Sequence, residues 1–376
     1  MKDSALYIHI PFCDHKCIYC DFYSIITTDN VSAFLKSLKN EIEYFSKLYS
    51  KDRIFTSIFF GGGTPSLMES DYLHDIITYI KNNFIVDDNA EITMETNPGT
   101  VDKDKLKRFK EAGINRISIG IQSFDESELK FLTRIHDKQT AVQTVYNAAE
   151  VGFENISVDL IFNLPNQTKE KWIDNLKTAI ALPIKHISTY SLILERGTIL
   201  NKLVLEGKVT MGDDDYDADL YETTIDFLIS NGFYQYEVSN FTKAGFECLH
   251  NNAYWRYRDY LSFGTSSHSF VNGKRWWNYS SLKKYISKVE LNGHAIMNSE
   301  IINDSQMHDE YVMLALRSSG LDLIDYRKRF SDDWITKNNG YFKLLKNDNL
   351  IVIKDDWIKL TSKGYPVCDE IIKNIL

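Results

Sequence analysis

No stretch of the sequence approaches the roughly 18 consecutive apolar residues that a membrane span requires. Met1 to Ile10 is too short and too mixed for a secretory signal, because Cys13 follows almost at once. A basic block is also missing. Lys and Arg total 43 against 52 Asp and Glu, a net charge of −9, which argues against nucleic-acid binding. There is no internal repeat and no low-complexity linker. Cysteines number five, an odd count with three inside eight residues, which suits a reduced metal site better than a secreted disulfide framework. The expectation is a cytoplasmic chain without a membrane span. Its 43% hydrophobic and 25% charged residues are ordinary globular composition, and 376 residues allow two or three domains or one large barrel.

Short β-rich runs alternate with helical patterns through the first two-thirds. The expected strands are Leu6–Pro11, Ser57–Phe60, Ala90–Thr96, Arg116–Ile121, Ile156–Phe162 and His186–Leu192. Between them, Val31–Lys47, Glu69–Lys81, Lys103–Ala112, Thr140–Val151 and Lys169–Ile180 repeat apolar residues at three- and four-residue intervals. Strands separated by helices predict parallel βαβ units, and six of them fit a partial (β/α)6 barrel. Glu95, Gln122 and Asp159 fall at or just past strand-like runs, and Gly61–Pro65 directly follows one. Barrel active sites collect at those ends. The acidic run Asp213–Asp219 reads as the opening of a helix around Leu220–Ile229, where carboxylates favour the macrodipole. Cys248 to Tyr279 holds nine aromatics in 32 residues, a composition shift that marks a separate segment. The expected division is therefore 1–240 as the barrel, 241–302 as an aromatic-rich connecting region, and 303–376 as a helix-rich, winged-helix-like appendage. The appendage includes a β-like pair, Leu350–Lys354 and Trp357–Leu360.

The triplet Cys13-x3-Cys17-x2-Cys20 is the most informative feature. Three thiolates on one short loop can hold three corners of an iron–sulfur cube and leave one iron open. A zinc site would need a fourth ligand such as His9 or His15. Cys13, Cys17 and Cys20 match the CxxxCxxC motif of the radical S-adenosylmethionine (SAM) superfamily, and Gly61–Pro65 resembles its GGGTP segment. The resemblance implies a [4Fe–4S] cluster whose open iron is chelated by SAM, and one-electron cleavage of SAM to a 5′-deoxyadenosyl radical.

A closer resemblance covers nearly the whole chain. Tyr7–Cys13, Cys20-Asp-Phe22, Glu95–Gly99, Asn115–Phe124 and Asp159–Ile161 look like oxygen-independent coproporphyrinogen III oxidases and their relatives, the HemW-type heme chaperones. It implies SAM contacts at Tyr7, Tyr19, Gly62, Gly63, Thr64, Glu95, Gln122, Arg134 and Asp159. Two glycines of the relatives' pattern are Asn163 and Asn166 here, and Asn tolerates positive φ better than most residues. The oxidases usually carry another cysteine where this chain has Phe22, and a longer extension ahead of the triplet. Both differences favour the chaperone.

His250-Asn-Asn-Ala-Tyr-Trp255 matches the HNxxYW motif associated with heme in that family, making His250 the expected heme ligand, with Cys248 and His268 as rivals. Trp255 is expected to stack on the macrocycle, and Arg256, Arg258, Lys274 or Arg275 to meet its propionates. The partners implied are heme, an unidentified heme-acceptor protein, and an electron donor if SAM is cleaved. The alternative is an enzyme of the coproporphyrinogen dehydrogenase type, an oxidoreductase that decarboxylates two propionates. The leading expectation is a heme chaperone that binds heme and transfers it to an acceptor protein.

Overall fold

The computed structural model describes residues 1–27 and 29–376. Six parallel strands follow one another in space as in sequence: β1 (Lys2–Ile10), β2 (Arg53–Gly62), β3 (Val86–Thr96), β4 (Arg116–Gln122), β5 (Asn155–Phe162) and β6 (His186–Ser191). The helices Val31–Tyr49, Ser70–Asn83, Lys103–Glu111, Lys138–Glu150 and Lys169–Ile180 connect them. These are the expected βα units, with no end moved by more than four residues. Apolar residues recur at every second position of the strands, on one face, while Ser57, Thr93, Ser118 and Ser157 are buried polar residues of the other face. Leu6, Ile8, Ile58, Phe60, Ile92, Met94, Ile117, Ile119, Ile156 and Val158 are all buried. Asp102, Asp137 and Thr168 each accept a backbone N–H at the start of a helix and so fix where the chain turns back.

The sheet continues at both ends. β7 (Tyr234–Gln235) and β8 (Asn240–Thr242) extend it beyond β6, in the order β6-β8-β7. On the other side, β9 (Tyr260–Gly264) pairs parallel with β1. The antiparallel strands β10 (His268–Val271), β11 (Lys274–Asn278) and β12 (Ile296–Ile301) complete twelve strands. Much of the aromatic-rich stretch is therefore sheet. On one face Trp276 stacks on Phe45 and Tyr49 of the first helix. The acidic run opens helix Asp214–Ser230, with Asp213 accepting the N–H of Tyr216 as its cap.

Residues 303–376 form helix Asp304–Leu316, β13 (Leu321–Asp322), helices Leu323–Arg329 and Asp333–Asn347, then β14 (Ile351–Lys354), β15 (Trp357–Leu360) and helix Cys368–Ile375. The three strands pair in the order β13-β15-β14. Helix, strand, two helices and a strand pair is the order of a winged helix, and the β-like pair lies within one residue of where the sequence placed it. Among the described residues no helix is long and apolar enough to cross a membrane.

Candidate functional site

A cavity of about 410 Å3 opens at the C-terminal ends of β1 to β6. Tyr7, Cys13, Cys17, Tyr19, Cys20, Gly62, Gly63, Thr64, Glu95, Gln122, Arg134 and Asp159 all line it. These are the twelve residues the sequence singles out for a cluster and SAM, drawn from segments up to 150 positions apart. They meet because parallel strands deliver their following loops to one end of the sheet.

The cysteine loop is pinned at both ends. Ile25 N–H donates to Pro11 O at 2.8 Å and Cys13 N–H donates to Ile25 O at 3.0 Å. The glycine segment is stitched to the same loop, with Gly63 N–H on Ile10 O and Thr64 N–H on Phe12 O, each at 2.8 Å. Two glycines are required for this approach. Gly62 has φ 108°, and a Cβ there would lie 2.5–2.8 Å from the His9 imidazole. A Cβ on Gly63 would lie 2.6 Å from Phe12 O. Thr64 Oγ1 then comes within 3.1 Å of Cys13 Sγ. Burial pushes the Cys13 and Cys20 thiols up.

Beside the thiols stands Arg134, one residue past Thr133, which has φ 56°. Its Nη1 lies 3.5 Å from Cys17 Sγ, and its Nη2 donates to Asn97 Oδ1 at 2.7 Å and Gly120 O at 2.6 Å. Its Nε is buried and, among the described residues, has no hydrogen-bond partner. Glu95 Oε2 accepts the Gly62 N–H at 3.1 Å. Burial, with the neighbouring Asp159 charge, pushes the Glu95 carboxyl up to about 7. Burial also raises Asp159, against the Ser188 and Ser118 hydroxyls that hydrogen-bond it. Two enclosed carboxyls and one enclosed guanidinium face a common space. That arrangement suits a ligand with an ammonium or hydroxyl donors at one end and a carboxylate at the other. Gln122 (φ 70°), Asn163 (φ 58°) and Asn166 (φ 61°) adopt the left-handed conformation, which Asn tolerates better than most residues. Strain of this kind gathers at functional sites.

Among the described residues no three His, Cys, Asp or Glu side chains converge as ligands of a single metal ion. His9 is committed elsewhere, with Nδ1 3.2 Å from Tyr7 Oη and Nε2 3.0 Å from Tyr23 O. His15 lines the cavity with Nε2 3.2 Å from Thr133 Oγ1. Sequence reasoning did not single out Asn97, although it sits in the quoted Glu95–Gly99 segment. Its Nδ2 donates to Thr64 Oγ1 at 3.0 Å while its Oδ1 holds Arg134, so it bridges the glycine segment to the guanidinium.

His250 is not in this cavity. It lies in helix Leu249–Trp255, 1% exposed, beneath β1 and β2. Its Nδ1 is 3.0 Å from Ser57 Oγ, its Nε2 is 2.9 Å from Tyr254 Oη, and its ring stacks on Phe59 at 4.9 Å. Burial and the nearby Arg116 pull it down to about 3. Both nitrogens are engaged and neither faces solvent, so the expected heme ligand offers no open lone pair to iron. Cys248 is sealed as well. Its Sγ donates to Glu91 at 3.4 Å and caps the helix, and burial pushes the thiol up to about 12. Two of the expected propionate partners are already paired, Arg258 with Asp3, and Arg275 with Glu300 and Glu310. His268 is exposed.

The model of the radical SAM superfamily matches residues 7–179. The chain is 34% identical over 375 residues to the heme chaperone HemW of Bacillus subtilis, covering 98% of this chain and 97% of that protein. It is 31% identical over 377 residues to the heme chaperone HemW of Lactococcus lactis, covering 100% and 98%. Among solved structures, coproporphyrinogen III oxidase from Escherichia coli, described as a radical SAM enzyme, superposes with a TM-score of 0.84. That match covers 100% of this chain and 90% of that one at 23% identity, and it shows a shared fold. A likeness of this extent, with the cysteine triplet and the glycine segment in one cavity, places the chain in the HemW family of the radical SAM superfamily.

Proposed function

We propose that this protein is a heme chaperone: it binds heme and passes it to an acceptor protein, and it carries a SAM-coordinated [4Fe–4S] cluster. The observation that carries the reading is the match along the full chain to proteins described as heme chaperones. In this reading 1–240 holds the cluster and SAM, 241–302 contributes the heme face, and 303–376 is the helical appendage.

Cys13, Cys17 and Cys20 would hold three irons of the cubane. Those irons are separate atoms, so thiols spread around a cavity wall suit a cluster where convergence on one point would suit a lone ion. Arg134 would pair with the SAM carboxylate, as its unpartnered Nε and its position beside Cys17 support. Gly62 and Gly63 keep the wall free of Cβ atoms, and Thr64 orients Cys13. Glu95 and Asp159 would accept from the ammonium and the ribose hydroxyls. Tyr7, Tyr19 and Gln122 would close the remaining sides. When bound, the pair would supply one-electron reductive cleavage of the sulfonium. The chain's own part is to orient the two groups and exclude water between them.

The experiment is hemin titration of the reconstituted protein, followed by exposure to an apo-hemoprotein. One hemin bound per chain and released to the acceptor supports the reading. Absence of saturable hemin binding overturns it. The electron donor is an added dithionite or flavodoxin-type reductant in such an assay, and the natural acceptor is the partner to be sought by capture.

A further inference from the structure

A histidine that ligates iron must be neutral and must present a ring nitrogen to solvent or to a cavity. His9, His186 and His250 have both nitrogens within hydrogen-bond distance of a partner. His268, at the start of β10, is exposed, and among the described residues neither of its ring nitrogens has a hydrogen-bond partner. Its imidazole lies flat against the indole of Trp277, with centroids 5.7 Å apart and planes 18° from parallel. Burial, followed by the charge of Arg275, lowers its affinity for a proton, which favours the neutral ring. His74 is exposed too, but it stands on the outer helix Ser70–Asn83, and among the described residues no aromatic ring pairs with it.

The sheet register gives the placement. Tyr7 is paired with Ser262, Tyr260 with Phe270, and His268 with Trp277. Two residues along from the Tyr260–Phe270 pair, His268 stands opposite Ser262. Tyr7, Ser262, His268 and Trp277 therefore form one row across four strands. Directly paired residues share a face, so His268 rises from the same face as Tyr7, which lines the cavity. At about 4.8 Å per strand it stands roughly 10 Å from Tyr7.

We propose that His268, its ring plane held by Trp277, is the protein ligand to heme iron, and that His250 is a buried structural residue. This rests on the heme-carrier reading above. An imidazole locked by a flat partner keeps one orientation toward the metal, as supporting contacts do at other metal sites. The macrocycle would then lie beside the cavity mouth, on the side of the sheet that also carries the cluster loop.

The test is hemin titration of full-length protein, read by absorption and low-temperature EPR, for wild type, His268→Ala, His268→Met, Trp277→Leu and His250→Gln. Expected are at least a tenfold loss of hemin affinity in His268→Ala with restoration of the imidazole-type spectrum by added imidazole, a changed ligand signature in His268→Met, and a wild-type heme spectrum in His250→Gln. Wild-type affinity and spectrum in His268→Ala, or loss of the heme signature in His250→Gln with an unchanged circular dichroism spectrum, would overturn the assignment. Wild type that binds no hemin fails the carrier reading itself, a result separate from an unaffected His268→Ala.

Discussion

Gly62→Ala should damage the site, and the cost divides into two parts. The backbone at Gly62 has φ 108°, outside even the small left-handed region open to L-residues. Forcing an L-residue there costs roughly 1–2 kcal/mol. The new Cβ would also lie 2.5 Å from His9 Cε1 and 2.6 Å from His9 Nδ1. The His9 ring cannot retreat freely, because Tyr7 Oη and Tyr23 O hold its two nitrogens. Overpacking against a fixed ring adds about 1–3 kcal/mol. The expected loss is therefore about 2–5 kcal/mol, measured by urea unfolding of the cluster-free protein. A cycle with His9→Ala separates the parts, since removing the ring relieves the contact and leaves the backbone strain. The expected coupling is about 1–3 kcal/mol. A Gly62→Ala protein within about 0.5 kcal/mol of wild type would refute the reasoning.

Cys13→Ala, Cys17→Ala or Cys20→Ala should each abolish the brown chromophore after anaerobic reconstitution, checked by iron and sulfide analysis. Stable zinc in its place would point to a structural metal site instead. Glu95 makes stability depend on pH. Its carboxyl is held up at about 7 in the folded state against 4.5 as its ordinary value, so the folded protein retains the proton longer. That contribution is fully present below about pH 4.5 and is lost as pH rises toward 7, at up to about 1.4 kcal/mol per pH unit. Glu95→Gln should flatten this part of the apo-protein profile. Arg134→Lys cannot reproduce the bonds to Asn97 and Gly120 while facing Cys17, so SAM affinity should fall at least tenfold by equilibrium dialysis. His250→Gln disturbs the Ser57 and Tyr254 contacts and should lower stability by about 1–3 kcal/mol in thermal or urea unfolding.

The six parallel strands were readable because each carries buried apolar residues at every second position and each covering helix repeats at 3.6 residues. Both signals are local. β9 to β12 left no such trace: Tyr260–Gly264 becomes a strand by pairing with β1, some 255 positions away, and the sequence showed only a rise in aromatics there. The cavity followed a similar division. Cysteines and glycines announce themselves by spacing and by the absence of side chains, whereas Arg134 could be placed only by family resemblance. Asn97 was passed over because an Asn after a strand is common, and its bridging role exists only once Arg134 and Thr64 are folded against it. His250 shows what neighbouring residues in sequence do not reveal. A histidine among aromatics suggests a ligand, but only the fold shows that Ser57 and Tyr254 already occupy its nitrogens.

The central claim, a heme carrier built on a radical SAM cavity, is tested most directly by anaerobic incubation of the reconstituted protein with coproporphyrinogen III, SAM and reductant. Porphyrinogen products and 5′-deoxyadenosine are followed together. The account predicts an intact cluster, bound SAM and no decarboxylated porphyrinogen, and the same preparation binds hemin. Protoporphyrinogen formed at catalytic yield would contradict it and make the protein an oxidase.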